Sequence, residues 1–187
     1  GRDQDRATGQ LLAWHHGEAL DLIAVSHRGY PDILHRRAVF YVKPGLLLVA
    51  DVLDPLDGRP HAYDWRLQFN SDNGTSGEAS WLSRAGGSGL KVTFPTNDPA
   101  GTRSLAAALN VNELPSNYQK MDNSSLYLEI WRGTWSKKAD GRVAFAALIE
   151  PFVKKEPARV LSSRLEGDVL VLEVKDGAKA WRYEWRL

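Results

Sequence analysis

Ala24 to Leu53, AVSHRGYPDILHRRAVFYVKPGLLLVADVL, is the stretch from which the fold can be read. Two β-rich runs, Leu34 to Lys43 and Leu46 to Asp54, flank Pro44-Gly45. Pro at the first and Gly at the second central position is the chemistry of a type II turn, so the stretch predicts an antiparallel hairpin. Because side chains alternate across a strand, Leu34, Arg36, Ala38, Phe40 and Val42 share one face. His35, Arg37, Val39, Tyr41 and Lys43 share the other. Just upstream, His27, Arg28 and Tyr30 fall in a segment broken by Gly29 and Pro31. That predicts a polar loop beside the hairpin, and loops on a rigid sheet often carry function.

Outward from the hairpin the same period continues. Gln10 to His16 and Ala19 to His27 predict an opening hairpin across Gly17. Downstream, His61 to Phe69 alternates, with Tyr63, Trp65, Leu67 and Phe69 on one face and Asp64, Arg66 and Gln68 on the other. Asn70 to Gly77 reads as a loop, and Ala79 to Arg84 and Leu90 to Phe94 flank a Gly-rich turn. Arg103 to Val111 reads as a strand despite the helix propensity of its alanines, Leu126 to Arg132 and Arg142 to Phe152 as strands around a TWSKKADG turn. Arg159 to Leu165, Val169 to Val174 and Ala180 to Leu187 form a meander, with Trp181, Tyr183 and Trp185 expected inside. About a dozen short strands, frequent turn signals and no helical period predict an all-β fold: a two-sheet antiparallel β-sandwich. No fixed repeat suggests a propeller or solenoid.

At 187 residues the chain suits one domain, residues 1 to 187, burying roughly 70% of the surface its unfolded form exposes. Its 24 basic and 23 acidic residues leave a net charge of +1, so no global field recruits nucleic acid or anionic lipid. No apolar run approaches the roughly 20 residues of a helical membrane span. The N-terminus, GRDQDRATGQ, has neither a signal-peptide core nor an initiator Met, which marks the chain as a piece of a larger or processed protein. The absence of Cys excludes disulfides and thiolate metal sites.

All five histidines, His15, His16, His27, His35 and His61, lie in the first third, and Asp51 closes an apolar strand beside them. One reading is a metal or active-site cluster in which His35, His61 and Asp51 hold a borderline cation such as zinc. The other makes them satisfied groups at strand edges, with Asp51 taking a guanidinium from Arg36 or Arg37. Trp65, Trp181 and Trp185 read as core, whereas Trp81, Trp131 and Trp135 could stack on sugar rings.

The order HRGYPD, LHRRAVFYVKPG, LLLVADVLD and HAYDWRLQF resembles the C-terminal β-sandwich of heparinase II/III-like polysaccharide lyases, most closely over Leu20 to Asn70. The resemblance implies a lyase that eliminates across a uronic acid in an acidic polysaccharide, in a periplasmic or secreted bacterial setting. Such chemistry needs a carboxylate neutraliser, a base and an acid. In the family these come mainly from an α-helical toroid preceding the sandwich, so this chain is implied to be catalytically incomplete alone. The sandwich supplies a His-rich wall, a metal site in some members, and substrate contacts. His27, Arg28 and Tyr30 are the candidate contacts, since a guanidinium suits a uronate carboxylate. Tyr30 packed on the domain surface is the plainer alternative. Where some relatives carry a further His near the aromatic strand, this sequence has Gln68 and Phe69. A non-catalytic carbohydrate-binding sandwich, using an aromatic face around Trp131 and Trp135, is the competing reading.

Overall fold

The computed structural model describes residues 9–70, 73–98, 100–109 and 129–187, and these contain strands joined by turns, with no helix. In chain order the strands are β1 (Gln10–His16), β2 (Leu20–Tyr30), β3 (Ile33–Val42), β4 (Leu46–Pro55) and β5 (His61–Asn70). There follow β6 (Asn73–Ser76), β7 (Ser80–Ala85), β8 (Ser88–Thr93), β9 (Thr102–Leu109) and β10 (Glu129–Ala139). The last four are β11 (Val143–Val153), β12 (Val160–Glu166), β13 (Val169–Asp176) and β14 (Lys179–Arg186). All pair antiparallel, as the alternation predicts.

The predicted all-β antiparallel sandwich is present, built from three sheets in place of the expected two. One eight-stranded sheet runs β1-β2-β3-β4-β11-β8-β7-β6, and two three-stranded sheets, β5-β10-β9 and β12-β13-β14, pack on it. Alternation along the shared strands shows where they sit. Leu48, Ala50 and Val52 of β4 and Ala146 and Leu148 of β11 pack with Leu161, Leu170, Leu172 and Trp185. Val143, Phe145 and Ala147, the intervening residues of β11, pack with Tyr63, Trp65 and Trp135 instead. The two small sheets therefore cover opposite faces of the large one.

Four local expectations are corrected. The segment from His27 to Tyr30 is no loop: β2 runs through it, shifting register between His27 and Tyr30, where buried Gly29 lets an extra residue bulge out. The turn between β3 and β4 is not type II. Lys43 and Pro44 are its central residues, their peptide is cis, and Gly45 N donates to Val42 O at 3.1 Å, the pattern of a type VI turn. The TWSKKADG stretch is mostly strand, because β10 is paired on both sides and alternates Trp135 and Lys137 inward. Finally, β14 has a neighbour on one side only. Its inward row loses cover along its length: Trp185 is buried, Tyr183 half-buried against Phe40, Trp181 exposed.

Candidate functional site

Register brings the predicted polar residues together on one face of the large sheet. His27 of β2 lies opposite His35 of β3, and His35 opposite Leu53. One row along, Val25, Arg37, Asp51 and Phe145 line up across β2, β3, β4 and β11. His27 and His35 meet edge to face with ring centroids 4.7 Å apart.

Asp51 is the hub. It is 1% exposed and accepts four donors: Arg37 Nε at 2.7 Å, Arg37 NH2 at 3.1 Å, Trp65 Nε1 at 2.8 Å and His35 Nε2 at 2.5 Å. Burial alone pushes its carboxyl up, but the hydrogen bonds from His35 and Arg37 more than offset this and hold it below the ordinary carboxylate value. The pairing of Asp51 with Arg37 rather than Arg36 follows from alternation. Arg36 points to the opposite face, where it bonds Asp54, which also takes Arg142, itself 2.8 Å from Asp168. His27 has its pKa lowered, first by burial and then by its electrostatic interaction with His35 and Arg37, so its imidazole is neutral at pH 7. Gly29 N donates to its Nδ1 at 3.1 Å.

His61 stands apart from this cluster, on β5 with Asp57, at 2.8 Å. Zinc needs about four ligands converging on one point. Here His35 and Asp51 are aimed at each other, both Asp51 oxygens are occupied by other donors, and His61 serves another acid. Among the described residues no group of three His, Cys, Asp or Glu side chains converges, so the donor set does not fit a metal.

Arg28 projects from the bulge into a groove of about 430 Å³ lined with Gln10, Leu12, Ser26, His27, Leu34 and Arg36. It forms no ion pair with a described acid. Tyr30 is half-buried against the cluster around Ile33 and Trp65, which is the packed alternative. Trp81 and Trp135 are fully buried in a chain of ring contacts with Phe94 and Phe145, so they offer no sugar platform. Trp131 is partly buried over Gly74, where a Cβ would lie 2.6 Å from its ring.

Two contributions escape sequence reading. Trp65 is core, yet its indole N–H also holds Asp51, a link between distant strands that no periodicity encodes. Ser26 and Gln10 join the groove because they pair with each other and Ser26 with Arg36, a register that the two hairpins together could have supplied.

Comparison with known proteins matches this architecture. A heparinase III gene product superposes with a TM-score of 0.75 at 15% identity, over 96% of this chain and 28% of that one. A heparan sulfate lyase mutant from Pedobacter heparinus gives 0.72 at 18%, with the same coverage, and a further heparinase III gives 0.72 at 18%, over 100% of this chain and 28% of that one. The chain thus spans under a third of the length of these structures. No curated protein matches in sequence. The profile described as "Heparinase II/III-like, C-terminal" matches residues 2–179, and the chain belongs to that family.

Proposed function

We propose that this domain forms one wall of the substrate cleft of a polysaccharide lyase that eliminates across a uronic acid in an acidic glycan, and that it is catalytically incomplete by itself. A periplasmic or secreted setting in a bacterium belongs to the same reading. The observation that carries it is the bulge at Arg28, which presents a guanidinium without an acid partner among the described residues beside a neutral His27. An unpaired guanidinium in a groove can take a carboxylate bidentately. His27 is buttressed edge-on by His35, and His35 is fixed by Asp51, so the imidazole is held in place on a rigid sheet rather than on a loop. A neutral imidazole can accept or relay a proton, while the remaining neutraliser and acid-base groups come from the part of the longer protein outside these residues.

The test is elimination by the longer protein, followed by the ultraviolet absorbance of the unsaturated uronate product. Arg28→Ala is expected to lower kcat/KM by about 10- to 100-fold, the loss of one charge-assisted contact, while shifting stability by no more than about 0.5 kcal/mol. Residues 1–187 alone are expected to give no product. Turnover by this piece alone, or an Arg28→Ala variant with unchanged kinetics, sinks the reading.

A further inference from the structure

The end of the sandwich remote from the groove carries charge of its own. His27, His35, Leu53 and Val143 lie in one row across β2, β3, β4 and β11, which marks the groove end. β11 runs on from Val143 to Val153, about 30 Å away at roughly 3.3 Å per residue. There the β11–β12 connection meets the β7–β8 and β13–β14 turns: Lys154 N donates to Gly87 O at 2.9 Å, and Arg159 Nε lies 3.0 Å from Asp176 Oδ2. The acids at these connections are taken. Glu156 pairs with Arg84 at 3.3 Å and with Lys91 at 3.0 Å, while buried Glu150 and Asp176 both pair with Arg159. Lys154, Lys155, Lys175 and Lys179 are left, all exposed and none in an ion pair with a described acid. Four positive charges outside any ion pair thus gather here, in a chain whose total is +1. Lys154 has φ 64°, the left-handed backbone that glycine adopts at least cost, so the turn carries a lysine where a smaller residue would fit more easily. Trp181, two residues from Lys179 and on the same face of β14, is 39% exposed.

We infer that this basic end is a second seat for an acidic glycan, holding a stretch of the polymer away from the groove by charge and by a sugar ring laid on Trp181. It rests on the reading of an acidic glycan as substrate, and adds where else on the domain that polymer is held. Four lysine side chains on flexible stems do not make a pocket for one small anion, because nothing fixes their spacing. A polyanion meets all of them at once and, as on DNA, releases condensed counterions when it does so. Among polyanions a glycan fits better than a lipid surface. Trp181 keeps most of its area against its own sheet, too shallow to enter a bilayer, while the exposed part of the indole can take the apolar side of a sugar. The separation of about 30 Å between groove and basic end covers several sugar units, so one long chain can occupy both.

The experiment measures binding by the longer protein of fluorescent, carboxyl-reduced heparan sulfate, which keeps its sulfate charges but cannot undergo elimination. Lys154→Glu with Lys155→Glu, and Lys175→Glu with Lys179→Glu, are each expected to weaken binding at least tenfold and to flatten its salt dependence. Trp181→Ala is expected to weaken it by about three- to tenfold at high salt as well as low, the mark of a stacked ring. The control, Lys138→Glu with Arg186→Glu, makes the same change of charge beside the β10–β11 and β12–β13 turns at the opposite end, and is expected to cost far less. Equal loss in the control overturns the inference, since net charge alone then accounts for it, and unchanged binding in the two lysine doubles overturns it outright. Lost binding to phosphatidylglycerol vesicles with the polymer unaffected overturns it in favour of a lipid surface. Gln in place of Glu serves wherever a double variant lowers the melting temperature. Elimination of the unmodified polymer by the unsubstituted protein is read separately. Weakened binding in the doubles without turnover keeps the basic end and removes the proposed chemistry; turnover with binding unaltered in the doubles does the reverse.

Discussion

At the scale of single residues, Asp51 is the group whose loss costs most. Its carboxylate is buried and satisfied by four donors, so Asp51→Ala leaves His35, Trp65 and Arg37 short of an acceptor at once. Arg37 is partly in water and can be rehydrated, which places the expected loss at about 3 kcal/mol, the lower end for breaking a buried pair. Denaturant midpoints of the two proteins measure it. The pH dependence has two parts. Asp51 has a lowered folded-state pKa, so its contribution is present above the ordinary value of 3.8 and is lost as pH falls through the folded value. His27 is a base with a lowered pKa. The unfolded chain takes the proton first, and stability declines as pH drops below the ordinary value of 6.5. His27→Gln should flatten the stability curve between pH 6.5 and 5 while leaving the acid limb in place; a curve that still bends there would acquit His27.

At the scale of elements, two of the three tryptophans that sequence reading left open, Trp81 and Trp131, pack over glycines. Gly133 on β10 faces Trp81, and a Cβ there would overlap the indole. Trp81 cannot retreat, since it is fully buried with Phe94 at 4.5 Å and Trp65 at 6.2 Å between ring centroids. Gly133→Ala is therefore expected to lose about 1 to 3 kcal/mol by overpacking, read as a lowered melting temperature with altered near-ultraviolet circular dichroism. The strands themselves were legible wherever alternation met a turn signal. The final meander is found within a residue or two at most of its predicted ends, because Glu166-Gly167-Asp168 and Asp176-Gly177 state its turns outright. β6, NGTS, was not legible: four polar residues carry no period, and only pairing with β7 makes them a strand. The site divides the same way. His35, Arg37 and Asp51 could be placed on one face from a single hairpin, whereas Trp65 arrives from another sheet, and no local pattern specifies that contact.

At the scale of the whole molecule, β4 and β11 have no solvent face over most of their length, because each carries side chains into two cores. Neither small sheet can leave without exposing those strands, so this chain is expected to unfold in one transition. Calorimetric and van't Hoff enthalpies should agree, and tryptophan fluorescence and far-ultraviolet circular dichroism should give the same midpoint. Separate midpoints would mean that β12-β13-β14 melts alone. The order of the large sheet, in which β4 neighbours β11 and β11 neighbours β8, stayed outside the reach of sequence reasoning because such pairings join segments far apart in the chain. One end of that sheet has a practical corollary. β1, QLLAWHH, is an edge strand with no lysine, arginine, acid or proline to discourage another strand from adding to it. Preparations of these residues alone should therefore cloud on concentration, read by light scattering, so that the storage life of the isolated piece becomes a matter of one bare rim.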